Sequence, residues 1–331
     1  MTDQTGAVRD RRADGPHSPL VRRLTAGLEP PTVRLTMERC LGGELSTAVA
    51  IVSLLDQTRS AEKVRGVVDE VTRRADEDSR VEDRLVRDRV DDLTQLLVDR
   101  ELEVDRIVDL LHAGTAMATE HPPASVEDGI ARCEQLFDWS VQQSEEASVA
   151  PYSLGSPELL DRSTREIVSL LDGWGQLGAD RAVLQIGCGI GRMEAALAGR
   201  VGEAHGVDVS ERMVAAARRR TASLPNVTIT KTSGQDLSIY GDRRFDMVYA
   251  VDTFPYLLQA GRPLVERHFA EVHRVLRPGG ELIILNFSYR GDADRDRTDI
   301  RRLAHEYGFT VVVDGEQPFE LWDGRVWRLR K

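Results

Sequence analysis

Along the first half of the chain the apolar residues recur every three or four positions, the spacing of one helical face. Val33, Met37, Cys40 and Leu41 share such a face, opened by Pro30-Pro31 and closed by Gly42-Gly43. Ser46 caps a second helix with Val49, Val52 and Leu55, and Ser60 a third through Val64, Val67, Val68 and Val71. Val86, Val90, Leu93 and Leu97 form a further seam, continued by Val104, Ile107, Val108 and Leu111. Together they predict a helical domain over 29–120, with an intramolecular bundle favoured over a dimer coil. The charge-dense stretch Arg73 to Arg89 alternates in sign and reads as a solvated helix face. Residues 1–28 are polar and without period, so a disordered tail is expected there.

Beyond a break at His121-Pro122-Pro123, Ser125 and Asp128 form a capping box for a helix carrying Ile130, Cys133, Leu136, Phe137 and Val141. Ala150 to Gly155 read as a loop, and Ser156-Pro157 start a helix that delivers Ile167, Leu170 and Leu171 to the core. From there short apolar runs alternate with helical segments. Val183 to Ile186, His205 to Val207, Val227 to Thr230, Phe245 to Asp252 and Glu281 to Asn286 read as strands, and Phe309 to Val313 with Arg325 to Arg330 as a terminal pair. Helices are expected at Arg192 to Leu197, from Val209 through Arg220, at Phe269 to Val275 and at Asp299 to His305. This is the alternation of an open, mostly parallel α/β sheet.

Composition narrows the class of protein. A length of 331 residues suits more than one domain, and the net charge of −11 argues against a chain-wide nucleic-acid surface. Lys63, Lys231 and Lys331 are the only lysines, so the basic residues are nearly all arginine, which reads as genome composition. Cys40, Cys133 and Cys188 are too widely spaced for a disulfide framework or a paired metal motif, and no His/Cys cluster has ligand spacing. The first residues lack the apolar core of a signal peptide, and no run is long and apolar enough to span a bilayer. A cytoplasmic protein without a metal is expected.

The chemistry centres on Val183 to Asp208. Strand, Gly187-Cys188-Gly189-Ile190-Gly191, helix, strand and terminal Asp208 form the layout of a nucleotide site in a doubly wound sheet. The glycines let backbone N–H groups approach the ligand, and the acid takes ribose hydroxyls. A dinucleotide site wants a third glycine where Arg192 stands, and a P-loop would need a lysine that is absent. The segment resembles the first motif of the class I S-adenosylmethionine-dependent methyltransferases, a strand followed by G-C-G-x-G. Leu276-Arg277-Pro278-Gly279-Gly280 before a strand, and a terminal hairpin through Trp322-Asp323-Gly324, resemble the same family. The resemblance covers about Ala124 to Lys331. The expected fold class is therefore α/β, a seven-stranded doubly wound Rossmann-like methyltransferase sheet over 121–331 with pre-core helices at 125–175 and an all-α N-terminal region.

The resemblance implies S-adenosyl-L-methionine as cofactor, held by Gly187, Cys188, Gly189, Gly191, Asp208 and Val209, with Met213 near the adenine and Gln235 and Asp236 at its amino group, the alternatives being helix-to-sheet packing for Met213 and a loop or helix cap for Asp236. Ala250, Val251 and Asp252, at a strand's carboxyl end, should face the transferred methyl group. Phe254 and Tyr256 are candidate walls of an acceptor pocket, the alternative being core packing; the resemblance implies pre-core helices folded over the cofactor, which makes Tyr152 a candidate ligand contact, with an ordinary core or surface tyrosine favoured. Asp252 and His268 are the base candidates near the expected pocket, but neither has a diagnostic spacing, and His268 and His273 read as structural, so no general base is assigned. The leading expectation is O- or N-methylation of a small molecule, in keeping with secondary metabolism, with the N-terminal helices as lid or homodimer contact. The alternatives are an RNA or protein methyltransferase, a non-catalytic S-adenosylmethionine-binding protein and, more remotely, an NAD-dependent oxidoreductase.

Overall fold

In the computed structural model, which describes residues 18–77, 83–119 and 122–331, the helical periodicity of the first third becomes a set of packed helices. They are α1 (Pro19–Thr25), α2 (Pro31–Leu41), α3 (Thr47–Thr58), α4 (Ala61–Glu77), α5 (Arg84–Asp99) and α6 (Glu101–Thr119). The seam Val86, Val90, Leu93 and Leu97 is buried, as are Val64, Val68 and Val71 on α4. Thr72 and Thr94 share a hydrogen bond of 3.0 Å that joins α4 to α5. On α3 the buried face is built from Ile51, Leu54 and Leu55, while Val52 is only partly covered.

The expected tail over 1–28 is corrected by α1. Leu20, Val21 and Leu24 lie on one face and are buried, a pattern too short to stand out among the surrounding charges. Arg74 on α4 closes its end, donating through Nη1 to the Leu24 carbonyl (3.0 Å), one of the groups a helix end leaves open. The expectations for residues 1–17, for His121 and for the middle of the charge-dense stretch (78–82) lie outside the described residues. The chain divides into two units, Met1–Val108 and Asp109–Lys331, so the division falls inside α6 rather than at the prolines after residue 121.

The second unit holds one seven-stranded sheet: β1 (Gly178–Ile186), β2 (Val201–Asp208), β3 (Val227–Lys231), β4 (Phe245–Val251), β5 (Leu276–Leu285), β6 (Thr310–Glu316) and β7 (Val326–Arg330), ordered β3-β2-β1-β4-β5-β7-β6. The first five are parallel, and β7 runs antiparallel between β5 and β6. Around the sheet lie α7 (Val126–Gln143), α8 (Glu145–Val149), a 3-10 turn at Pro151–Ser153, α9 (Pro157–Gly173), α10 (Arg192–Leu197), α11 (Glu211–Thr221), α12 (Phe254–Ala260), α13 (Arg262–Val275) and α14 (Ala293–Glu306).

Alternation along the strands sorts residues to two faces. Leu184, Ile186, Val248, Ala250, Leu282 and Ile284 pack with Phe254, Phe269, Val272, Ile300 and Leu303 of α12, α13 and α14. Gln185 and Tyr249, cross-strand partners in β1 and β4, point to the opposite face. The strand order reverses between β1 and β4, so the crevice at the carboxyl ends of those strands is where an open α/β sheet binds its ligand.

Three C-terminal elements differ from the apolar pattern. α13 begins at Arg262, ahead of the expected Phe269, because Leu264, Val265 and His268 join its buried face. α14 begins at Ala293, where Asp292 caps it by accepting from the Arg295 N–H (3.0 Å). On β5, Glu281 is 3% exposed, and it accepts from Arg328 (Nη2, 2.9 Å) and Arg330 (Nε, 2.9 Å) of β7. Removing one partner of a buried ion pair strands the other charge, so Glu281→Ala should lower the unfolding free energy by about 3 kcal/mol in a urea titration.

Candidate active site

Two glycines shape the turn that leaves β1. Gly187 and Gly191 have φ of 70° and 73°, the left-handed region that penalises a side chain. A Cβ on Gly187 would fall 2.3 Å from Thr253 Oγ1, and one on Gly191 would fall 3.0 Å from Ala217 Cα. The first glycine lets the exit of β4 close on the turn, and the second lets α10 approach α11. Thr253 Oγ1 donates to the Ile186 carbonyl (2.9 Å), which ties the ends of β1 and β4 together.

Asp208, at the end of β2, faces this turn. Its Oδ2 accepts from the Gly189 N–H (2.9 Å) and its Oδ1 from the Ser210 N–H (2.9 Å). A carboxylate has about four lone-pair sites, and with the Val209 backbone also acting on it about one stays open to a ligand hydroxyl. Burial raises the Asp208 pKa above the ordinary carboxylate value, against the pull of those backbone donors. Cys188, inside the turn, is buried, and burial pushes its thiol well above the usual range, so its side chain is not a nucleophile. Val209 follows Asp208 and lies against Gly234, at which a Cβ would fall 2.4 Å from Val209 Cγ1. Met213 is buried on α11, with its N–H donated to Ser210 Oγ (3.0 Å).

The remaining expected residues separate. Asp236 Oδ1 accepts from the Ser238 N–H (3.0 Å) and Oγ (2.6 Å), and these bonds hold its pKa below the ordinary value. It therefore serves as a turn cap. Beside it, Gln235 Oε1 accepts from Arg267 Nη1 (3.4 Å). Ala250 needs correction: strand alternation turns its methyl into the core beneath α12, so only its backbone lies toward the crevice. Phe254 is likewise core rather than pocket wall, fully buried and 5.8 Å edge-on from Phe269. The alternative reading, core packing beneath the sheet, is what the structure holds for it. His268 is buried with its ring Nδ1–H on the Leu264 carbonyl (2.9 Å), and His273 packs against Phe309.

Tyr256 and Asp252 do lie together at the end of β4. Tyr256 meets Phe137 edge-on at 4.9 Å and Tyr289 at 5.9 Å, while Tyr289 donates its hydroxyl to Asp252 Oδ1 (3.0 Å). Burial pushes the Asp252 carboxyl up to about 6. Tyr152 is buried and stacked on Trp322 at 5.8 Å.

Several residues of the site carry no motif. On α7, Asp138 Oδ1 accepts from Ser210 Oγ (2.6 Å) and the Arg212 N–H (3.1 Å), which docks that helix on the start of α11. Glu134 pairs with Lys231 (2.9 Å), and Phe137 reaches Tyr256, so α7 bridges the ends of β3 and β4. On the opposite face of the sheet, Arg192 donates through Nη1 to Ser163 Oγ (3.1 Å) and Thr164 Oγ1 (3.0 Å) of α9. Arg192 Nη2, Gln185 Oε1, Tyr249 OH and both Glu194 oxygens are buried without a hydrogen-bond partner among the described residues. Arg192, in the place of the third dinucleotide glycine, was the available signal for this buried polar layer.

Against that geometry, residues 183–280 match a family described as a methyltransferase domain. The chain is similar to an S-adenosyl-L-methionine-dependent Diels-Alderase of Talaromyces variabilis, 29% identical over 150 residues, covering 44% of this chain and 50% of the relative. It is similar to the methyltransferase GfsG of Streptomyces halstedii, 31% identical over 179 residues, 49% of this chain and 61% of the relative. Its matches thus span about half to three fifths of these relatives' lengths. A solved phosphoethanolamine N-methyltransferase from Haemonchus contortus aligns at a TM-score of 0.49 and 17% identity, over 62% of this chain and 49% of that one. The glycine turn, Asp208 and the matched segment identify a class I S-adenosylmethionine-dependent methyltransferase domain.

The cofactor of that family is S-adenosylmethionine, and the residues present fit it. The turn offers close backbone approach, the Asp208 carboxylate retains acceptor capacity, and unpartnered polar atoms lie behind the turn. No group of three or more metal-binding side chains occurs among the described residues, and no helix there is long and apolar enough to cross a membrane.

Two variants test these placements. Phe254→Ala should cost about 3–5 kcal/mol of stability in chemical denaturation, as for a core aromatic; a pocket residue would cost far less. Burial pushes Glu194 up to about 8, so the folded state holds a proton that the unfolded chain has lost. Its stability contribution is full below the ordinary carboxylate pKa and is lost as pH rises through about 8. Glu194→Gln should therefore flatten the decline of Tm between roughly pH 5 and pH 8, measured by scanning calorimetry.

Proposed function

We propose that this chain transfers a methyl group from S-adenosylmethionine to a small-molecule acceptor, with the N-terminal helical unit serving as lid or self-contact surface. The observation that carries the reading is the Asp208 carboxylate held 2.9 Å from the Gly189 N–H at the point where the strand order reverses. The donor supplies an activated methyl group on a sulfonium, so the protein's task is alignment and exclusion of water. Gly187 to Gly191 and Asp208 hold the adenosyl end. Asp138 and Phe137 fix α7 across the crevice. The rings of Phe137, Tyr256 and Tyr289 line an aromatic side that suits an organic acceptor better than a phosphate backbone. The net charge of −11 supports the same choice.

The Diels-Alderase relative motivates a second arm, in which the donor molecule is bound without being consumed. Calorimetry should give binding of S-adenosylhomocysteine and none of NAD. Asp208→Ala should weaken that binding by about 1.5–3 kcal/mol, the loss of hydrogen bonds to a charged group. Labelled donor with a metabolite extract should then label a small molecule. Label found in RNA alone would overturn the acceptor class, and binding without any transfer would favour the second arm.

A further inference from the structure

Two adjacent parallel strands, β4 and β5, end on non-glycine residues in the left-handed region: Asp252 has φ of 54° and Asn286 of 63°. Aspartate and asparagine are the side chains that tolerate this region best, and here the surroundings hold both in it. Here the pair is tied three ways. The Asp252 N–H donates to the Leu285 carbonyl (2.9 Å), the Asn286 N–H to the Arg325 carbonyl (2.8 Å), and Asn286 Nδ2 to Asp252 Oδ1 (2.8 Å). The Asn286 amide has only one workable orientation, because its Oδ1 accepts the Arg325 N–H (3.0 Å). Its Nδ2 is thereby committed to Asp252.

Tyr289 adds a second donor to the same oxygen (3.0 Å). Its ring is 54% exposed while its hydroxyl turns inward, the posture of a residue at a pocket mouth. Oδ1 is thus fully engaged, whereas no hydrogen bond to Oδ2 from the described residues accompanies these two. The carboxylate is fixed by one oxygen at the end of β4, the strand next to β1, and the following residue, Thr253, closes on the glycine turn. A side chain that only capped a turn would not need two side-chain donors on one oxygen.

We propose that Asp252 is the general base of the methyl transfer and that its Oδ2 takes the proton of an acceptor hydroxyl. This rests on the donor-binding function proposed above. The O–H bond breaks with its proton passing to Oδ2, and a new bond forms between the acceptor oxygen and the methyl carbon. The carbon–sulfur bond breaks with its electron pair going to sulfur, so sulfonium and carboxylate become a neutral thioether and a neutral acid. A carboxyl raised to about 6 is ionised at neutral pH and matches an acidic, phenol-type hydroxyl better than an alkanol. The chain of rings from Phe137 through Tyr256 to Tyr289 gives such an aromatic acceptor its wall. Asn286 and Tyr289 are positioning residues. Other groups that act on the carboxylate are Arg192 on α10, Tyr256 on α12, Tyr152 in the 3-10 turn and Asp323 before β7.

The test needs no acceptor. Sinefungin replaces the methylated sulfonium of the donor with a carbon bearing an ammonium group, and S-adenosylhomocysteine lacks any cation there. Calorimetry with both ligands should give wild-type protein a preference for sinefungin. Asp252→Asn, whose side chain tolerates the left-handed backbone, should reduce that preference about tenfold and leave S-adenosylhomocysteine affinity within about twofold. On wild-type protein the preference should also decline as pH falls through about 6, which guards against a variant that fails to fold. An unchanged preference in both measurements, or an equal loss for both ligands, would overturn the role of Asp252. If neither ligand binds wild-type protein, it is the donor site itself that fails, and the base falls with it.

Discussion

A half-buried carboxylate held by backbone N–H groups is the constraint on which the donor end of this protein depends. Asp208 cannot satisfy itself in the sheet. It lies at the last position of β2, where burial opposes its charge, and the Gly189 and Ser210 N–H groups are its compensation. To supply the first, the chain after β1 must bend so tightly that a side chain on Gly187 would run into Thr253. To supply the second, α11 must start immediately after the strand, with Ser210 as its cap. Turn, helix start and strand end are therefore one solution to one half-buried charge, and that solution leaves acceptor capacity facing the crevice.

The same Ser210 helps set where the pre-core helix α7 lies. Ser210 caps α11 through its own oxygen while donating its hydroxyl proton to Asp138. This hydroxyl links the donor side of the crevice to α7, and Phe137 on the same helix carries the link to Tyr256 and the end of β4. The Asp208 end of the crevice and the end of β4 are thus coupled through neighbouring residues of one helix. At the end of β4 the organising group is again a carboxylate: Asp252, oriented through Asn286 and Tyr289.

What the sequence makes legible follows from whether a residue's role is local. Parallel strands, the G-C-G-x-G turn and the terminal acid lie within one short stretch, and spacing alone puts Asp208 beside the glycines. The terminal strand pair is legible for the same reason, since its partners are near in sequence. Asp138 is not: it is an ordinary acid on an amphipathic helix, and its value comes from Ser210, far along the chain. Ala250 and Phe254 mark another limit. Proximity to a strand's carboxyl end predicts that a residue is near the crevice, but the two-residue period of the strand and the start of α12 decide which way each points. The buried layer of Gln185, Arg192, Glu194 and Tyr249 was hidden because α10 is too short to display an amphipathic pattern. α1 escaped because its three apolar residues sit among charges.

The most direct measurement is a crystal structure of the full chain grown with S-adenosylhomocysteine. Density for the ribose hydroxyls on the Asp208 carboxylate, with the adenosine crossing the carboxyl ends of β1 and β2, is the expected result. Ligand bound elsewhere on the chain, with the Gly189–Asp208 crevice closed to it, would contradict the role given to this carboxylate.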